Sequence, residues 1–367
     1  MSEPSQPPTF LVSRPDAIGD VVLTLPVAGR LKQLYPGCRV VLVGRAYTAA
    51  VGAACPWVDE FLSLDELEDL ADPPALTLCA LRAAEDEQVA RLRQYRAQAF
   101  IHVFPNRLLA HLARRAGIPI RIGTRNRWYH WLTCNRLVAL SRRHSPLHEA
   151  QLNLQLLAPL GQAELLPLPA VAELVRLLPT VLLPAQWQQL LAARLPSQLN
   201  VVLHPRSRGS AREWGLGHFG QLARALHAAG HRVFISGTGA EGAELADWLR
   251  QHADYLAADL TGRLALPDFL AFLAAADGIV AGSTGPLHLA AALGRHALGL
   301  YPPIRPMHPG RWGPLGPRAE YLVFDWPDCQ DCRADPAACT CIKAIAVVAV
   351  AAQVGKWASS SPTSYAT

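Results

Sequence analysis

The run GIVAGSTGPLHLAAALGRHALGLY, residues 278–301, decides the architecture. Gly278–Gly282 is short and apolar and reads as a buried strand. Gly282-Ser-Thr-Gly285 is a loop of small residues. Pro286–Leu293 has helical apolar spacing with proline at its start, and Gly294 follows its end. His296–Tyr301 is a second strand. The same alternation extends outward in both directions. Upstream lie the strands Asn200–His204 and Arg232–Ser236 and the helices His218–Ala229, Ala240–Gln251 and Pro267–Ala276. The first half repeats the pattern, with strands Phe10–Ser13, Arg39–Gly44, Phe61–Leu64, Ala99–Phe104 and Ile120–Gly123. Helical spacing over Asp20–Tyr35, Glu85–Ala97 and Arg107–Ala116 separates them. Strands alternating with helices imply parallel pairing and doubly wound α/β sheets.

Between Leu160 and Asn200 five prolines interrupt leucine-rich pieces. The expected organisation is therefore a disordered tail at 1–9, a Rossmann-like domain at 10–165, a linker at 166–199, a second Rossmann-like domain at 200–341, and a C-terminal helix and tail at 342–367. The two domains are expected to face each other across a cleft, with ligands at the carboxyl ends of the strands. A chain of 367 residues is too long for one ordinary core. Hydrophobic residues make up 51% and charged residues 17%, which excludes disorder as the main state. The apolar run Ala344–Ala352 is far shorter than the ~20 residues that span a bilayer. The first nine residues are polar and proline-rich, unlike a signal peptide, so a cytoplasmic location is expected.

The net charge of +5 conceals an asymmetry. From 88 to 148 there is no acidic residue but there are twelve arginines, so this segment carries +12 and the rest of the chain −7. Trp128, Tyr129 and Trp131 are interleaved with the arginines. Such a surface suits an anionic partner. Nucleic acid is disfavoured, because no recognition motif is present. Of eight cysteines, Cys329, Cys332, Cys339 and Cys341 cluster within thirteen residues. They match the ligand count of a zinc site but not the spacing of paired knuckles, so thiols are expected ahead of a metal.

Three loops carry candidate chemistry. In Arg14-Pro-Asp-Ala-Ile-Gly-Asp20, Gly19 would permit a tight turn, and Asp20 would either cap the next helix or act as a general base. A helix N-terminus would keep that carboxylate ionised. In residues 282–288, backbone N–H groups of Thr284, Gly285 and Leu287 would form an anion site suited to a diphosphate. In residues 204–214, Arg212 beside a small-residue loop suits phosphate binding. Glu241 would accept from ribose hydroxyls or favour its helix N-terminus.

Together these pieces resemble the bacterial lipopolysaccharide heptosyltransferases of glycosyltransferase family 9. The matching motifs are R-x-D-x-I-G-D-V-V-L-T-x-P, the loop ending R-E-W, D-L-T-G-R-x-x-L (from Asp259) and S-T-G-P-L-H-L-A-A-A-L-G, in family order. The resemblance implies a GT-B fold and inverting, metal-independent transfer from a nucleotide diphosphate sugar, typically ADP-heptose, with no cofactor. It implies Asp20 as the base. Ser207, Arg212, Glu241, Ser283, Thr284, Gly285, Pro286, Leu287 and His288 would contact the donor. Gly19, Arg121, Arg125 and Arg127 would lie on the acceptor side, where a phosphorylated glycolipid would dock at the inner membrane face. The chain departs from the family pattern at Ser283, commonly Asp, and at Arg212, commonly Lys. Other GT-B nucleotide-sugar transferases, sugar-nucleotide epimerases and an inactive nucleotide-binding homologue are the alternatives.

Overall fold

The computed structural model describes residues 7–65, 78–142, 145–162 and 164–359, apart from 208, 210, 306, 325, 327, 328, 330, 331, 333, 334 and 336–338. The chain divides into two compact units, Met1–Leu177 and Leu178–Thr367. Each is built on a six-stranded parallel sheet.

The first sheet comprises β1 (Thr9–Ser13), β2 (Arg39–Gly44), β3 (Glu60–Ser63), β4 (Ala99–His102), β5 (Ile120–Thr124) and β6 (Arg136–Val138), in the order β3-β2-β1-β4-β5-β6. The second comprises β7 (Asn200–His204), β8 (Arg232–Ile235), β9 (Ala258–Asp259), β10 (Gly278–Gly282), β11 (His296–Tyr301) and β12 (Ala319–Val323), in the order β12-β11-β10-β7-β8-β9. Both central strands β1 and β7 are wholly buried, as strands covered by helices on both faces must be. In each sheet the strand order reverses once, between β1 and β4 and between β7 and β10. A crevice opens at the carboxyl ends of such strand pairs. Arg14–Asp20 leaves β1, and the Ser283–His288 loop leaves β10.

The stretch 166–199, expected to link the domains, is shared between the units. Helix Leu168–Ala172 buries Val171, and Trp57 Nε1 donates to Leu174 O at 3.1 Å within the first unit. Helix Ala185–Ala192 belongs to the second unit, where Trp187 packs edge-on against Phe272. The end of the chain is also integrated. Val350, Val354 and Trp357 join the second core, and Trp357 stacks on His296 with centroids 4.8 Å apart. Of the expected tails, residues 1–6 and 360–367 lie outside the described set, and Thr9 already belongs to β1. Three short strands, β6, β9 and β12, are absent from the sequence reading. Their two to five residues carry too little periodicity to register.

Gly262 shows why the D-L-T-G-R motif needs its glycine. Its φ is +67°, and an added Cβ would lie 2.7 Å from Gly239 Cα. The turn after β9 therefore rests directly on the start of helix Gly239–Glu244. Gly262→Val combines a left-handed β-branched residue with a backbone clash. It should destabilise the second unit by about 3 kcal/mol, read as a lowered midpoint in denaturant unfolding with unchanged slope. A midpoint equal to wild type would show that the turn can move away from Gly239.

Candidate functional site

In the first unit, five charged side chains converge where β1 and β4 end, joined by Asn153 and Thr24. Arg14 is 3% exposed and divides its guanidinium among three carboxylates. Nε donates to Asp16 Oδ1 at 2.7 Å, Nη2 pairs with Asp20, and Nη1 lies 3.3 Å from Glu149 Oε1. Glu149 is wholly buried and takes a second arginine, Arg142, whose Nε is 2.8 Å from the same oxygen. Arg142 also donates to Asn153 Oδ1 at 2.8 Å and to Val103 O at 3.1 Å. Asn153 Nδ2 returns to Leu23 O at 3.1 Å and Thr24 Oγ1 at 3.3 Å, and Thr24 Oγ1 donates to Asp20 O at 2.9 Å. The network thus holds both the carboxylate of Asp20 and the backbone that carries it.

Asp20 differs from the sequence expectation in two ways. It does not cap the helix. Ala17 is the N-cap of helix Ile18–Val22, and Asp20 is the third residue inside it. Nor does the helix start dominate its charge. Burial pushes its carboxyl above the usual range, Arg14 opposes this, and the Glu149 charge adds to the rise. Burial likewise pushes Asp16 up to about 6, against Arg14 and with help from Asp20. The physical reason is the charge count. Three carboxylates share two guanidiniums in a site largely withdrawn from water. Both aspartates still keep 22% of their side-chain surface exposed, so either can reach a proton donor in solution. Gly19 is also not the tight-turn residue expected. It lies within the helix, where its carbonyl accepts from Leu23 N–H.

Glu149 and Asn153 escaped the sequence reading, and Arg142 entered it only as one of the twelve arginines of the basic segment, not as their partner. Their signal was Glu149 and Asn153 four residues apart among leucines, which places two polar groups on the buried face of helix Glu149–Gln155.

The arginines assigned to the acceptor separate into two kinds. Arg121 donates through Nε to Thr133 O at 2.7 Å and through Nη1 to Ile118 O, tying loop to strand. Arg125 and Arg127 follow β5, are exposed, and make no ion pair among the described residues. They sit at the same sheet edge as Asp20.

In the second unit, helix Gly285–Ala292 begins beside the end of β10. Thr284 is its N-cap in extended backbone, yet its side chain makes no capping bond. Its hydroxyl oxygen is buried and has no hydrogen-bond partner among the described residues. A buried hydroxyl left so is costly without a partner. Thr284 N–H is engaged by Gly282 O at 2.8 Å, so it is not one of the outward donors expected. Gly285 and Leu287 N–H remain, because first-turn amides have no partner within a helix and Pro286 has no N–H. Leu287 is fully buried, so it can contribute only its backbone. His288 is also buried, 3% exposed. The wholly buried Tyr301 donates its phenol to Trp312 O at 2.6 Å, and burial raises its proton affinity against the opposing influence of the Ser283 hydroxyl.

Three other donor candidates are engaged locally. Ser207 Oγ donates to Ala211 O at 3.0 Å and its N–H to Glu213 Oε1 at 2.9 Å, which folds the loop onto itself. Glu241 Oε2 accepts from Thr238 N–H at 2.7 Å and Oγ1 at 2.9 Å, a capping box. Arg212 is 6% exposed. Its guanidinium donates to Cys332 Sγ at 3.3 Å and Cys332 O at 2.9 Å.

Arg212 therefore ties the loop after β7 to the cysteine segment. All four clustered cysteines are buried free thiols. Cys341 Sγ lies 3.2 Å from Cys329 Sγ, and burial, then Cys329, pushes the Cys341 thiol up to about 12. Among the described residues no three His, Cys, Asp or Glu side chains are arranged to hold a metal ion.

Comparison with known proteins agrees with this architecture. The model of glycosyltransferase family 9 (heptosyltransferase) matches residues 89–342. A candidate glycosyltransferase of Haemophilus influenzae is 27% identical over 321 residues, covering 86% of this chain and 88% of its own. The structure of Escherichia coli ADP-heptose lipopolysaccharide heptosyltransferase II superposes with a TM-score of 0.70 at 19% identity, over 95% of this chain and 98% of that one. E. coli heptosyltransferase WaaC with ADP gives 0.66 at 18% identity, over 95% and 99%. Those two likenesses show the fold, GT-B with two Rossmann-like sheets. The family match over more than half of the sequence shows the rest: this chain is a glycosyltransferase and belongs to glycosyltransferase family 9 (heptosyltransferase).

Proposed function

We infer that the protein transfers a heptose, with inversion, from ADP-heptose to a phosphorylated saccharide-lipid at the cytoplasmic face of a membrane. The observation that carries the reading is Asp20. It is a partly exposed carboxylate of raised proton affinity, fixed by Arg14 at the switch point of the first sheet. Such a group is suited to general-base work near neutral pH.

In the proposed step, Asp20 takes the proton of an acceptor hydroxyl. The acceptor oxygen bonds to the anomeric carbon as the bond to the diphosphate oxygen breaks, and the electron pair leaves on that oxygen. The amides of Gly285 and Leu287 and the hydroxyl of Thr284 receive the developing negative charge, a task that aligned donors at a helix start perform without a metal. Arg125 and Arg127 attract the phosphates of the acceptor. ADP in the WaaC structure and ADP-heptose in the name of heptosyltransferase II support the choice of donor.

The test is a donor screen by mass spectrometry with lipopolysaccharide core fragments as acceptors. A mass gain of one heptose from ADP-heptose is expected. Transfer from another nucleotide sugar alone, or conversion of a donor without acceptor, would replace the reading. Thr284→Val keeps the shape of the N-cap but removes its hydroxyl. It should weaken ADP binding about tenfold by calorimetry; unchanged affinity would remove Thr284 from the diphosphate site.

A further inference from the structure

Helix Trp128–Thr133 joins β5 to β6 and is amphipathic in an unusual sense. Its inner face buries His130 and Thr133. Its outer face presents Trp128 at 64%, Trp131 at 61% and Leu132 at 61% exposure. These positions are three and four residues apart, so they form one patch. Trp131 Nε1 donates to Arg125 O at 3.0 Å, which satisfies its polar atom internally and leaves hydrocarbon facing out.

A rim of positive charge surrounds the patch. Arg107 lies with its guanidinium carbon 5.3 Å from the Trp128 ring centroid. Arg125 and Arg127 stand immediately before the helix. All three arginines are exposed, and none makes an ion pair among the described residues. Elsewhere on this unit some arginines do find carboxylates: Arg39 with Glu60, Arg45 with Asp65, and Arg115 with Glu85 and Asp86. No acidic residue between 88 and 148 could do the same for the rim. Large apolar side chains exposed together need a partner, and unneutralised arginines around them require that partner to be anionic. Tryptophan and leucine flanked by arginine is the composition that enters the boundary between lipid headgroups and acyl chains.

We propose that Trp128, Trp131 and Leu132 insert into an anionic bilayer surface, with Arg107, Arg125 and Arg127 at the headgroups. This deepens the reading of a membrane-borne acceptor and rests on it. The patch follows β5, whose carboxyl end lies on the sheet edge that carries Asp20. Docking here would bring that edge to the lipid.

The full chain would be sedimented with phosphatidylcholine vesicles containing or lacking phosphatidylglycerol. Binding to the anionic vesicles alone is expected, weakening as salt rises, with quenching of tryptophan fluorescence by brominated lipid. The triple variant W128S/W131S/L132S should bind at least about tenfold more weakly, and Arg107→Gln about fivefold. The changes are at exposed positions, so far-ultraviolet circular dichroism should not move. The triple variant should keep wild-type turnover on water-soluble acceptor fragments and lose it on acceptor embedded in vesicles.

Equal binding to neutral and anionic vesicles would overturn the proposal. So would a wild-type dimer that the triple variant converts to monomer, since the face would then join two copies. Lost turnover on soluble fragments would make the patch a saccharide site instead. Vesicle binding is read without turnover, so a chain that binds lipid but transfers no sugar would defeat the reading of function and leave this one standing.

Discussion

Asp20→Asn will lower kcat by about three orders of magnitude, the range expected when a general base is removed. Asparagine keeps the shape of the side chain and an oxygen for Arg14, but it cannot accept the proton. Affinity for ADP should be unchanged, because the proposed diphosphate site lies on the other unit. In the wild type, kcat/KM should fall as pH drops through a value above the ordinary aspartate range of about 4. The base must be ionised to work, and burial with the Glu149 charge raises its pKa against Arg14. That acid limb should vanish in Asp20→Asn. Asp16 is the competitor, held by the same guanidinium and equally exposed. If Asp16→Asn instead loses turnover while Asp20→Asn retains it, the base is Asp16.

Arg14→Met is expected to be the most destabilising single change in the first unit. It leaves Asp16, Asp20 and Glu149 with Arg142 as their remaining cation. Breaking a buried ion set from one side costs about 3–5 kcal/mol, because charge remains buried without compensation. At about 2–4 °C per kcal/mol for a unit of this size, the melting midpoint should fall by about 10 °C. The pH dependence identifies the cause. Burial already raises the proton affinity of Asp16 and Asp20 in the folded state, and losing Arg14, which opposes the rise, makes both bind protons still more tightly there than in the unfolded chain. Folding therefore gains from protonation, and the deficit relative to wild type should shrink as pH falls from neutral towards 5, where those carboxyls protonate. A deficit constant across that range would point to lost packing against Phe104, whose ring centroid lies 5.7 Å from the Arg14 guanidinium carbon.

Much of the frame was legible in the sequence. The run from Gly278 to Tyr301 folds as read to within one residue at the helix, Gly285–Ala292. The reason is that parallel strands buried on both faces are continuous apolar runs punctuated by glycine and proline. Elements with polar or short sequences were less visible. Helix Glu149–Gln155 carries a buried glutamate, glutamine and asparagine, which a hydrophobic pattern scores as surface. Thr24 and Pro26 also split the long helix expected from Asp20 into Ile18–Val22 and Leu25–Leu34.

The sequence by itself determined the class of fold, the division into two sheets and the loops that bear chemistry. Each of these follows from local periodicity and turn residues. The tertiary structure decided what the polar side chains in those loops meet. Arg14 and Glu149 are 135 residues apart, and Arg212 and Cys332 are 120 apart, so no local pattern records either pairing. Only folding brings three carboxylates to two arginines, and that imbalance in low-dielectric surroundings makes Asp20 a stronger proton acceptor than its place in a helix would. The same folding turns Arg212 inward to a cysteine and leaves Arg125 and Arg127 outward. Residues alike in sequence differ in role because burial and the nearest charge, both long-range properties, set what each can do.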